Sequence, residues 1–117
     1  MNDQNIHIPA IACDFNAIKA DEREGHETTV RQLFAAVQGV QELPNGYAFR
    51  LPTDSAILMQ AADFIANQSL CCPFFRFTLE IEPDKGPVWL KLSGADLVKE
   101  FISAEVMTLV NADIRPG

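Results

Sequence analysis

The chain has 117 residues, 48% of them hydrophobic and 21% charged, which suits one folded domain with its own core. Sixteen acidic residues against nine basic ones leave a net charge of −7. That charge repels phosphate backbones and anionic membranes, so neither nucleic acid nor a membrane is an expected partner.

Residues 1–9 read as a flexible lead-in, with no basic or apolar stretch of the kind a secretory signal needs. No apolar run reaches the roughly 18 residues of a membrane span, and the expected compartment is the cytoplasm. The stretch AIACDFNAI alternates: Ile11, Cys13 and Phe15 share one side, which predicts a short strand with Cys13 facing inward. Asp21 followed by Glu24 resembles a capping box and opens a helix whose apolar stripe is Val30, Leu33, Phe34 and Val37, with His26 one turn earlier. A hairpin follows around Pro44-Asn45-Gly46, with Tyr47, Phe49 and Leu51 alternating after it.

Thr53, Asp54 or Ser55 caps a second helix whose buried face carries Ile57, Ala61, Phe64, Ile65 and Gln68 and continues to Cys71 and Cys72. Pro73 disfavours helical backbone at Cys72, so this helix should end at about Cys71. A second hairpin pairs Phe75, Phe77, Leu79 and Ile81 with Val88, Leu90 and Leu92 across a turn at Pro83-Asp84-Lys85-Gly86. A last helix after Gly94 turns Leu97, Val98, Phe101 and Ile102 inward, and residues 111–117 read as a flexible tail. The expected fold is a single α+β domain over residues 10–110. It is a two-layer sandwich of a mainly antiparallel sheet of about five strands, with helices on one face, in the order β-α-ββ-α-ββ-α. The other sheet face would carry Arg50, Phe74, Arg76, Trp89 and Lys91, and the large apolar groups Phe74 and Trp89 there predict a homodimer.

Three cysteines carry the chemistry. Cys71 and Cys72 end the second helix, and Cys13 would meet them if its strand were central. Three thiolates suit soft ions such as zinc, copper(I), mercury(II) or arsenic(III), with His26 or His7 as a further donor. An adjacent Cys71–Cys72 disulfide is disfavoured by geometry, and the odd count predicts thiols rather than a complete disulfide set. Against reactivity stand the negative end of the helix dipole and burial among Phe64, Phe74, Phe75 and Phe77. Buried cysteine is also ordinary core filling, and a histidine on an apolar stripe is ordinary packing. No phosphate-loop, dinucleotide, zinc-protease or nucleophile-elbow motif occurs.

The segments Ile11-Ala12-Cys13, His26, Leu43-Pro44 with Gly46 to Pro52, Cys71 to Leu79, Gly86 to Leu92 with Gly94, and Lys99 to Phe101 together resemble a group of small, largely uncharacterised bacterial proteins. The resemblance implies the same fold and the same grouping of Cys13, Cys71 and Cys72. The acidic and basic residues that precede the cysteine pair in that group are replaced here by Gln68, Ser69 and Leu70. The reading that follows is a cytoplasmic thiol protein that takes a soft metal or metalloid through Cys13, Cys71 and Cys72, with His26 as auxiliary ligand or supporting donor. The alternatives are a dimeric interaction module with structural cysteines, or an enzyme with a cysteine nucleophile.

Overall fold

The computed structural model describes residues 13–116. They form three helices and a four-stranded antiparallel sheet: α1 (Arg23–Ala35), β1 (Gly39–Leu43), β2 (Gly46–Leu51), α2 (Ser55–Cys71), β3 (Arg76–Ile81), β4 (Val88–Ser93) and α3 (Val98–Glu105). The strands lie in the order β1-β2-β4-β3, so the two hairpins join through β2 and β4. Among the described residues, the expected opening strand does not appear in this sheet. Residues 10–12 lie outside the described part, and from Asp14 the chain turns instead of extending. The Asp14 carboxylate accepts the N–H of Asn16 and caps a 3-10 turn over Phe15–Ala17. Aspartate competes for nearby backbone donors in this way, and a period of two cannot register it.

Two further expectations about helix ends are corrected. α1 starts at Arg23, after a 3-10 turn over Ala20–Glu22, and no side chain caps it, so Asp21 and Glu24 form no capping box. The Arg23 guanidinium instead reaches back to the carbonyls of Ile18 and Asn16, at 2.9 and 3.2 Å, and fastens the segment that leads out of Cys13. Leu97 does not face inward. It sits just before α3 in the left-handed region, with φ 77°, and is 57% exposed, while Val98 and Ile102 are buried. α2 behaves as expected at both ends, with the Asp54 carboxylate accepting the N–H of Ala56 and the last helical residue at Cys71.

Register explains the core. Val40, Phe49, Leu90 and Leu79 lie side by side across the sheet, and Tyr47, Leu92 and Phe77 form the next row. On this face Phe34 of α1 meets Phe49 edge-on at 5.2 Å, and Phe64 of α2 meets Phe77 at 6.0 Å. Phe34, Phe49, Phe64 and Leu90 are essentially sealed from water, and each such side chain stabilises the fold by roughly 2–3 kcal/mol on area grounds. Both predicted hairpin turns form. At the second, Asp84 and Lys85 both take positive φ, the pattern of a type I′ turn. At the first, Gly46 serves close approach rather than backbone handedness, because a Cβ there would run into the carbonyl of Leu92.

The opposite sheet face carries Arg50, Trp89 and Lys91, with Lys91 and Glu80 paired at 3.0 Å. Phe74 is not on it. Its ring packs on Phe75 and Phe101, at 4.8 and 5.3 Å, so the aromatic pair expected to draw a second copy reduces to a half-buried Trp89.

Candidate metal centre

The end of α2 supplies two sulfurs from one backbone kink. Cys71 is the last helical residue, and Cys72 leaves the helix with φ −129° and ψ 70°, outside the helical region that Pro73 disfavours. This bend lets both side chains face the same side, with Cys71 Sγ 3.5 Å from Cys72 Sγ. The third sulfur arrives from the N-terminal segment. The N–H of Asp14 donates to the carbonyl of Cys71 at 2.7 Å, one of the helix-end carbonyls that has no partner within α2. That bond lays Cys13 across the end of α2.

The three sulfurs all lie within 4.8 Å of one another. Cys71 and Cys72 are buried, at 3% and 0% exposure, while Cys13 is exposed, contrary to the inward position predicted for it. Cys13 and Cys72 are joined as a disulfide, with their Cα atoms 4.6 Å apart, and Cys71 is the free thiol. The odd cysteine count therefore hides one complete pair, and it bridges 59 positions rather than neighbours.

His26 reaches the sulfurs only through Gln68. Its ring lies on Phe64, with centroids 6.2 Å apart, and its Nε2 is 2.8 Å from Gln68 Oε1. The carboxamide nitrogen of Gln68 then donates to Cys72 Sγ at 3.1 Å. A disulfide sulfur has no proton to give, so it requires the amide nitrogen on its side. Gln68 then presents its carbonyl to the ring, and His26 carries its proton on Nε2. His26 Nδ1 is buried and has no partner among the described residues. His7 lies outside the described residues.

Gln68 is the site residue that sequence reasoning missed. Its signal was its position, three and four residues before the two sulfurs, which places it on their face of the helix. Cys71 Sγ also lies 3.7 Å from the backbone carbonyl of Gln68 and 3.8 Å from its Oε1.

Burial pushes the Cys71 thiol above its ordinary pKa, and the Asp14 carboxylate pushes the same way, while a backbone hydrogen bond at Cys71 works against them. The charge that bears on this thiol is therefore an anion. A cleft of about 320 Å³ opens beside the cluster, walled by Cys13, Phe15, Val30, Arg31, Cys71 and Leu109. The arrangement is a three-sulfur centre at the junction of a helix end and an incoming segment, with one sulfur at the surface and two within. Comparison with family models, with curated proteins and with solved structures returns no match for this chain. Among the described residues, no helix is long and apolar enough to cross a membrane.

Proposed function

We propose that the protein binds a soft metal or metalloid ion through Cys13, Cys71 and Cys72. The observation that carries this reading is the convergence of three sulfurs within 4.8 Å from two separate segments, at the edge of an open cleft. Thiolates are the ligands such ions prefer, and spacing of this kind suits a single atom bound by all three. The disulfide is the closed form of the same site. A dithiol, itself oxidised to a disulfide, supplies two electrons and two protons, or a phosphine supplies the electrons and water the protons as phosphine oxide forms; either converts Cys13–Cys72 to two thiols, which join the free Cys71. His26 and Gln68 support the site from behind: the amide holds Cys72, and the ring holds the amide.

The test is native mass spectrometry of the reduced full chain with zinc(II), mercury(II) and arsenic(III), beside Cys13→Ser and Cys72→Ser. One ion per chain is expected, weakened in both variants. Absence of any thiol-dependent binding would refute the reading.

A further inference from the structure

Among the described residues, carboxylates outnumber cations around the three-sulfur centre. Asp14 adjoins Cys13 and is tied by its N–H to the Cys71 carbonyl, Glu27 borders the cleft, and Glu105 borders the neighbouring cavity that Cys13 also lines. Against these three carboxylates stands one cation on the cleft wall, the exposed Arg31. The remaining wall is mostly hydrocarbon, from Phe15, Val30 and Leu109, with the uncharged Gln68 and His26 behind the sulfurs. Two of the sulfurs are within the core, where an uncompensated charge is costly.

The formal charge of the bound complex then decides which ion fits. A divalent ion held by three thiolates leaves a net charge of −1. A trivalent metalloid held by the same three leaves zero. Resting on the soft-ion reading above, we infer that the site is built for a trivalent, pyramidal metalloid, arsenic(III) or antimony(III), in preference to divalent zinc or cadmium. The reaction is a condensation. In As(OH)3 each As–O bond is exchanged for an As–S bond, each thiol proton leaves with the departing hydroxide as water, and arsenic stays in the +3 state. Three thiols are consumed and three waters are formed. Cys13, at the surface, makes the first bond, and the two inner sulfurs then draw the atom inward.

The experiment uses the full chain, reduced with a phosphine and then freed of it without air. Arsenite and cadmium(II) are added together at equal concentration, and the bound atom is read by native mass spectrometry and by X-ray absorption. One arsenic per chain, coordinated by three sulfurs, is expected to prevail. A charge variant isolates the cause. Phe15→Lys puts a cation on the cleft wall at an already exposed position, and Phe15→Ala is its uncharged control. The lysine variant should shift the partition toward cadmium by about ten-fold, and the alanine variant should not. Cadmium prevailing in the unmodified chain, or equal partition in the lysine and alanine variants, would overturn the inference while leaving the three-thiol site intact; arsenic bound by only two sulfurs would overturn the inference and count against three-sulfur ligation. Binding of neither ion would overturn the inference, and failure of mercury(II) and zinc(II) as well would overturn the soft-ion reading beneath it.

Discussion

Opening the Cys13–Cys72 bond is the most direct perturbation of this molecule. The bridge spans 59 positions. In the chain-entropy view, a closed loop of that length removes freedom from the unfolded chain equivalent to about 4 kcal/mol. The contacts around the bridge, from the Asp14 N–H to the Cys71 carbonyl and from Arg23 to Ile18 and Asn16, do not themselves need the disulfide and are expected to persist on reduction. The loss therefore falls on the unfolded side of the balance. With a urea dependence of roughly 1–3 kcal/mol per molar for a domain of this size, the midpoint should fall by roughly 2 M on reduction. Equilibrium urea unfolding followed by Trp89 fluorescence, with and without a phosphine reductant, measures this. Cys13→Ser should match the reduced protein and no longer respond to reductant. Equal midpoints for oxidised and reduced protein, or a reductant effect that persists in Cys13→Ser, would refute the reasoning.

Three other outcomes follow from particular residues. The Cys71 pKa is raised in the fold above its ordinary value of 9.0, so the unfolded chain loses this proton first; stability from this group holds below about pH 9 and falls as pH rises through the folded pKa, by up to about 1.4 kcal/mol per pH unit. Cys71→Ala should flatten that alkaline slope in urea titrations at stepped pH. Gln68→Leu removes the partner of His26 Nε2 on a buried residue whose Nδ1 is already unpaired among the described residues, which should cost about 1–3 kcal/mol by thermal unfolding; Gln68→Glu, which keeps an acceptor for the ring, should cost less. Leu97→Gly relieves a left-handed backbone at an exposed side chain and should raise stability by up to about 1 kcal/mol, a reversal of the usual effect of adding glycine.

The helices and hairpins were readable because each rests on a local signal. Asp54 caps α2, Pro73 stops it, and alternation in β2, β3 and β4 matches the paired register. The opening segment was not readable, because alternation of Ile11, Cys13 and Phe15 looks the same whether it lines a strand or precedes a capped turn. What decides is a side-chain hydrogen bond, from the Asn16 N–H to Asp14. Phe74 was misplaced for a related reason: β3 starts at Arg76, so the alternation counted back from Phe77 does not extend to Phe74. The meeting of Cys13 with Cys71 and Cys72 was foreseen as a consequence of a central strand; it occurs through a different device, one backbone bond onto the free end of a helix. Gln68 was placed on the cysteine face, but its role was not readable, because a glutamine there carries no signal until its two partners, a ring and a sulfur, are known to flank it.

The bridge also divides the chain into a ring and a tail. α1, β1, β2 and α2 lie within the closed circle, while β3, β4 and α3 hang from it, yet β4 lies between β2 and β3 in the sheet. A protease that cuts once inside the circle, at the turn between β1 and β2 for instance, would therefore release nothing. The nicked molecule would run as one band on a denaturing gel until reductant was added, and would then part into two.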